Sequence, residues 1–302
     1  MKNLIVRLAN GIGNQLFTYA AAFNYSKKIN ANLLIDDKSG FYKRHKYELG
    51  NFNLSAKIAN NNHKFLGNIG RLKRKIYKKI NFINSEITFI EEKKDQNKLT
   101  EYDENIFKKD VNENIYLEGY FQTEKYFKEV KNELSNEFSF KEKIINERNK
   151  FKDLILNTNS VSIHIRNKKF LESENHENID ILNKENFKLN LDIAKKGINF
   201  FEKKIEDPKF FIWSNNFMGL KEYFDSDKFI FVDNTPYVSD IYDLYLMTLC
   251  KNFIVSPSTF SYWGAFLSKN MNKICVGPPN IKNISGYYGF SNNKDIRPDW
   301  WI

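Results

Sequence analysis

Val161-Ser162-Ile163-His164-Ile165-Arg166, near the middle of a 302-residue chain, decides how the rest is read. A strand alternates its side chains, so Val161, Ile163 and Ile165 fall on one face and Ser162, His164 and Arg166 on the other. In an open parallel sheet, ligands collect beyond the carboxyl ends of the strands. A strand finishing His-x-Arg brings a fork of N–H donors to that place. An anion such as phosphate is the natural guest of the fork. An edge strand with a solvated arginine is the plain alternative, and residues elsewhere must choose between them.

Moving outward, the chain alternates strand-like and helix-like segments. Leu4 to Leu8 reads as a strand, Gly11-Ile12-Gly13-Asn14-Gln15 as a tight turn, and Leu16 to Lys28 as a helix. A second strand, Ala31 to Ile35, ends in Asp36-Asp37. This is a βαβ pattern with a glycine-rich first turn, but a dinucleotide fingerprint needs its third glycine where Leu16 stands, which argues against NAD or FAD. Gly11 and Gly13 still let a ligand approach the backbone, and the amides of Asn14 and Gln15 suit a sugar or phosphate. An amide that merely caps the helix is the alternative.

Beyond Arg166, Lys184 to Lys203 reads as a helix and Lys209 to Trp213 as a strand ending in Ser214-Asn215-Asn216. Met218 to Tyr223 is a short helix, Phe229 to Val232 a strand, Asp240 to Cys250 a helix, and Asn252 to Val255 a strand. Ser256-Pro257-Ser258-Thr259-Phe260-Ser261 then opens a helix from Phe260 to Leu267. Hydroxyls, free N–H groups and the positive dipole end converge there on an anion site, with simple N-capping as the alternative. The class is α/β, with a domain boundary near residue 155.

Composition narrows the partners. With 41% hydrophobic and 16% aromatic residues the chain can bury a sizeable interior, and a net charge of +10 favours anionic partners: nucleic acid, a phosphorylated small molecule or an acidic membrane face. Cys250 and Cys275 are too few and too loosely spaced for a disulfide framework or a zinc site, and the four histidines are scattered. Asp225-Ser226-Asp227 reads as a solvated turn before it reads as a cation site. The first apolar run is broken by Arg7, and no stretch of about 18 apolar residues spans a membrane, so a cytoplasmic protein is expected. Within Asn68 to Ile83, Ile69, Leu72, Ile76, Ile80 and Ile83 recur at helical spacing beside Arg71, Lys73, Arg74, Lys75, Lys78 and Lys79. Such a helix can lie on an anionic membrane; the commoner arrangement docks the apolar stripe on the protein and leaves the basic face in water.

Five blocks, taken together, carry a family resemblance: Gly11-Ile-Gly-Asn-Gln-Leu-Phe-Thr-Tyr-Ala20, Tyr116-Leu-Glu-Gly-Tyr-Phe-Gln-Thr-Glu-Lys-Tyr-Phe127, Ser162-Ile-His-Ile-Arg166, Phe210-Phe-Ile-Trp-Ser214 and Ser258-Thr-Phe-Ser-Tyr-Trp-Gly264. In that order they resemble the bacterial α-1,2-fucosyltransferase family, glycosyltransferase family 11. The resemblance implies two Rossmann-like domains in a glycosyltransferase B-type fold, with residues 1–155 on the acceptor side and 156–302 binding the donor. It implies GDP-fucose as donor, inversion at the fucose anomeric carbon, and neither metal nor cofactor. Arg166, with His164, takes the catalytic place on the donor diphosphate. Ser258, Thr259, Phe260 and Ser261 help hold the nucleotide sugar, and Gly13, Asn14 and Gln15 join the donor-binding set. The expected acceptor is the 2-hydroxyl of a galactose-containing surface glycan carried on membrane lipid. That gives a reason for peripheral contact with an anionic membrane and leaves no role for nucleic acid.

The chain also departs from the family pattern. Many members continue His-x-Arg-Arg-Gly-Asp-Tyr, where this chain has Asn167, Lys168, Lys169 and Phe170; a strand that often ends Ser-Asp-Asp ends here Ser214-Asn215-Asn216. Lys168 or Lys169 can supply the missing charge, without a bidentate fork. No general base stands out among Asp36, Asp37, Glu118 and Glu124, the acids nearest the motifs. A transferase with another sugar donor, a sugar-binding pseudoenzyme, a dinucleotide-dependent oxidoreductase and a nucleic-acid-binding protein remain the alternatives.

Overall fold

Leu4, Ile5 and Val6 are fully buried in β1 (Asn3–Arg7), as a strand covered on both faces requires. The computed structural model describes residues 2–41, 45–80, 87–92, 101–108, 114–147, 149–167, 179–234, 240–278 and 295–302. They form two units, Met1–Lys141 with Asn292–Ile296, and Glu142–Ser291 with Arg297–Ile302.

In the first unit β1 leads into α1 (Ile12–Lys28), followed by β2 (Asn32–Asp36), β3 (Lys57–Ile58), α2 (Gly67–Ile80), β4 (Ile87–Glu91), β5 (Asn114–Glu118) and α3 (Lys131–Glu137). The strands are all parallel in the order β3-β2-β1-β5-β4, so the order reverses between β1 and β5. Helix α1 starts at Ile12 rather than Leu16, because the N–H groups of Asn14 and Gln15 both donate to Gly11 O. Gly13, Asn14 and Gln15 therefore belong to its first turn and not to an open loop. Lys27 and Lys28 close its last turn, where positive charge complements the dipole.

Helix α2 lies the opposite way round from the common arrangement. Ile69, Leu72 and Ile76 are 85%, 60% and 42% exposed, while Arg74 and Lys78 turn inward to Glu118 Oε2 at 2.6 and 2.8 Å. Tyr77, on the same inner side, packs edge-on against Phe65. The inward turn of the two cations has an electrostatic reason: leaving the buried Glu118 carboxylate without a partner costs about 3–5 kcal/mol. The Ile80 side chain and Ile83 lie outside the described residues.

The second unit runs α4 (Glu142–Ile145), α5 (Lys150–Asn157), β6 (Asn159–Ile165), α6 (Ile179–Lys204), β7 (Pro208–Ser214), β8 (Phe229–Phe231), α7 (Asp240–Thr248), β9 (Asn252–Ile254), α8 (Thr259–Phe266) and β10 (Cys275–Val276). Its strands are again all parallel, ordered β10-β9-β6-β7-β8, and the order reverses between β6 and β9. The division falls before Glu142 rather than near residue 155, because α4 and α5 pack with this unit: α4 meets α7, α5 meets α7 and β6, and Ile144, Phe151 and Ile155 are buried. The expected short helix at Met218 to Tyr223 is a 3-10 turn, Leu220–Glu222. The C-terminus is tied to the last strand, with Ile302 N donating to Cys275 O at 2.9 Å.

Candidate active site

In an open α/β sheet, ligands bind where the strand order reverses, beyond the carboxyl ends of the strands. In the second unit that position lies between β6 and β9, and it is where His164 and Arg166 stand. Val161, Ile163 and Ile165 are buried as the alternation requires, but Ser162 is buried too, because β6 is central and covered on both faces. His164 Nδ1 lies 3.2 Å from Ser256 Oγ at the end of β9, and its ring sits 5.4 Å from that of Phe260. Burial, and then the neighbouring Arg166, push the histidine down to about 3, so the imidazole is neutral at physiological pH. It can hold a hydrogen bond but offers no charge. Arg166 has its carbonyl fixed by Asn186 Nδ2 of α6 at 3.1 Å, and its guanidinium has no partner among the described residues.

The serine-rich turn completes this end of the sheet. Ser258 precedes α8 in extended conformation, and its side chain makes no capping bond. The first N–H groups of a helix have no partner within it, so hydroxyl and amides remain for a ligand. Ser261 is used differently: its Oγ accepts from Ser256 N at 3.1 Å and fixes the turn. Thr259 and Phe260 are partly exposed at the helix start. Two of the family departures meet here, since Asn167 Nδ2 donates to Asn216 O and Met218 O, each at 3.3 Å. Lys168 and Lys169 lie outside the described residues. Asp225 and Asp227 are exposed, and no group of three or more His, Cys, Asp or Glu side chains among the described residues is arranged to hold a metal.

Gly13, Asn14 and Gln15 stand in the first unit. Gln15 is fully buried and commits its amide to the chain, donating to Asn10 O and Lys46 O and accepting from Glu48 N. No amide hydrogen is left for a donor. Asn14 Oδ1 accepts from Gln122 Nε2 at 2.6 Å and Thr18 Oγ1 donates to Gly119 O at 3.0 Å, so two of the sequence blocks interlock.

Beside this lock, at the reversal of the first sheet, is a cleft of about 300 Å³. Its walls include Arg7, Asn10, Arg74, Lys78, Glu92, Glu118 and Tyr120. Of the acids singled out from the sequence, Asp36 is buried and accepts from Tyr116 OH, Lys38 N and Ser39 N. Asp37 pairs with Lys64, and Glu124 with Lys131. Glu118 is buried, which by itself would raise its pKa, but hydrogen bonds and charge from Arg74 and Lys78 hold it below the usual carboxylate range. The residue that sequence reasoning missed is Glu92, 5% exposed, whose Oε2 accepts from Tyr120 N at 2.6 Å and Phe121 N at 2.9 Å. Its Oε1 is buried without a hydrogen-bond partner. The signal was available: Ile87 to Ile90 is an apolar run ended by two acids, the place where a parallel strand presents its ligands.

The profile of glycosyl transferase family 11 matches residues 3–301. Among curated relatives, the O-antigen biosynthesis glycosyltransferase WbnK of Escherichia coli is 26% identical over 311 residues, covering 98% of each chain. An alpha-1,2-colitosyltransferase of Escherichia coli is 28% identical over 288 residues, 92% of each. Among solved structures, a variant of Arabidopsis thaliana FUT1 in complex with GDP superposes with a TM-score of 0.56 at 13% identity, over 98% of this chain and 74% of that one. The NodZ alpha-1,6-fucosyltransferase soaked with GDP-fucose gives 0.53 at 14%, over 88% and 93%. Those likenesses show a glycosyltransferase B-type fold with two Rossmann-like units. Because the family match runs from the first strand to the last tryptophan, across both sheets and both reversals, the chain belongs to glycosyl transferase family 11 and is a glycosyltransferase.

Proposed function

We propose that the chain transfers L-fucose from GDP-fucose, with inversion and without a metal, to the 2-hydroxyl of a galactoside in a bacterial surface glycan. One observation carries the donor side: a guanidinium, Arg166, with no partner among the described residues, at the same sheet reversal as the uncapped start of α8. A leaving diphosphate needs its charge neutralised, and a bidentate arginine with helix N–H groups and hydroxyls does so in a fixed arrangement. Arg166 is the group that grips the diphosphate, and His164 positions the Ser256 turn beside it. Ser258, Thr259 and Phe260 furnish hydroxyl, backbone and ring contacts. The relative named alpha-1,2-colitosyltransferase favours a second reading in which the same site takes a colitosyl donor. The test is calorimetry with GDP, GDP-fucose, GDP-mannose and UDP-sugars, then product analysis of the accepted donor with a galactoside. Transfer of fucose in α-1,2 linkage supports the first reading. Binding of UDP-sugars in preference to GDP overturns both.

The acceptor side of the proposal places the enzyme against the cytoplasmic leaflet. The exposed stripe of Ile69, Leu72 and Ile76 supports this, flanked by exposed Lys73, Lys75 and Lys79. Each cation near an anionic surface contributes about 1 kcal/mol, screened within a Debye length. No helix among the described residues is long and apolar enough to cross a membrane. Sedimentation with anionic vesicles should be lost in high salt and weakened by Leu72→Ser or by replacing Lys73, Lys75 and Lys79 with Gln. Arg74 is kept, because it holds Glu118. Equal binding to neutral vesicles removes the electrostatic part of this proposal.

A further inference from the structure

Glu118 and Glu92 line the same cleft, but the protein treats them differently. Glu118 is clamped by Arg74 and Lys78. Glu92 receives no cation from the described residues; it receives two consecutive backbone N–H groups, from Tyr120 and Phe121. That arrangement is built at some cost. Phe121 holds φ at +50, the left-handed region that a bulky side chain rarely adopts, and backbone strain of this kind amounts to about 1–3 kcal/mol. A Cβ on Gly119 would stand 2.6 Å from Glu92 Cβ, so the turn after β5 approaches Glu92 as only glycine allows. The outcome is one oxygen fixed and one oxygen, Oε1, buried in the wall of a cleft with nothing bonded to it.

We propose that Glu92 is the catalytic base of the transfer: Oε1 takes the proton of the acceptor hydroxyl. This rests on the transferase reading above. As the O–H proton moves to Glu92, the acceptor oxygen forms its bond to the anomeric carbon of the donor sugar. The bond from that carbon to the phosphate oxygen breaks, and its electron pair leaves on the nucleoside diphosphate. Glu92 then gives the proton to water. The two carboxylates divide the labour as acid–base sites do, by environments that push them apart. The charged groups around Glu92 are Arg7 on β1, Glu91 beside it, Glu118 on β5, and Arg74 and Lys78 on α2; Tyr120 and Tyr126 follow β5. Among them burial wins, raising Glu92 to about 7, while the N–H groups of Phe121 and Tyr120 temper the rise. A base poised there is half ionised near neutral pH and still able to hold a proton.

The experiment compares wild type, Glu92→Gln and Glu92→Asp with the GDP-sugar the wild type uses and a galactoside acceptor. The expected result for Glu92→Gln is a fall in kcat of about 10²–10⁴-fold, with donor KM and GDP affinity within about threefold of wild type. The wild-type kcat/KM should rise with pH up to about 7, and that acidic limb should vanish in Glu92→Gln. Glu92→Asp, which keeps a carboxylate, should recover part of the rate and the limb. A Glu92→Gln enzyme that keeps kcat within about threefold, or keeps the limb, overturns the assignment and leaves Glu92 a positioning residue. Absence of transfer by the wild type with every GDP-sugar instead overturns the GDP-sugar reading of the proposed function, and the Glu92 assignment with it.

Discussion

Both sheets reverse their strand order beside their first strand, β1 in one and β6 in the other, and they furnish the reversal with opposite charge. In the second unit a lone guanidinium, Arg166, stands among neutral groups: a neutral His164, Ser256, and the uncapped Ser258. In the first unit a cleft rich in cations has those cations engaged. Arg74 and Lys78 hold Glu118, and Arg7 donates to Ser39 O. What stays uncompensated there is a carboxylate, Glu92. A cation without a counter-ion is prepared for an anion, and a carboxylate without one is prepared for a proton. Topology places the two sites; charge compensation gives each its chemistry.

The sharpest way to break this comparison is to exchange stability between the two carboxylates. Glu118→Gln should destabilise by about 3–5 kcal/mol near neutral pH, because the buried anion that Arg74 and Lys78 both approach is lost. Its pKa is depressed by folding, so the deficit seen in urea unfolding should shrink as pH falls below about 4.5. Glu92→Gln should act in the other direction. Folding raises this group from 4.5 to about 7, so the native state binds the extra proton between those values and wild-type stability falls as pH rises through them. Above pH 7 the wild type should be less stable than Glu92→Gln by up to about 3 kcal/mol, and the slope should be absent from the variant. Equal slopes in both proteins would erase the distinction between the sites.

Arg166→Lys tests the other reversal. A point charge cannot copy a bidentate grip, and a loss of about 100-fold in kcat/KM, close to 2.7 kcal/mol, is expected with folding unchanged. Near wild-type turnover would remove the arginine from the donor site. The smallest effect expected is none: excess chelator should leave the rate unaltered. Loss of activity restored by magnesium or manganese would promote Asp225-Ser226-Asp227 to a cation site.

The positions at which the chain departs from its family also compare usefully. Asn167 and Asn216 stand where many members carry an arginine and an acid, and here they are joined by a hydrogen bond. Read one at a time in the sequence they look like two lost functions. In the fold the Asn167 amide ties the end of β6 to the backbone that follows β7, and the Arg166 guanidinium beside it has no partner among the described residues.

By itself the sequence determined what depends on neighbours along the chain. A period of two and a terminal His-x-Arg were enough to place Arg166 at the carboxyl end of a strand, and a hydroxyl-rich turn before an apolar helix was enough to place Ser258 at its start, because strand pleat and helix termini are local geometry. Tertiary structure decided what depends on charge brought from far away. The periodicity of α2 showed that one side is apolar, but not that Arg74 and Lys78 would turn inward; a carboxylate 44 and 40 positions further along the chain, Glu118, imposed that. Nor could it show that Glu92 would sit on the amides of Tyr120 and Phe121, nearly thirty residues later, with one oxygen left over. A carboxylate's role is set by which donors surround it once water is gone, and only the closed fold determines those donors.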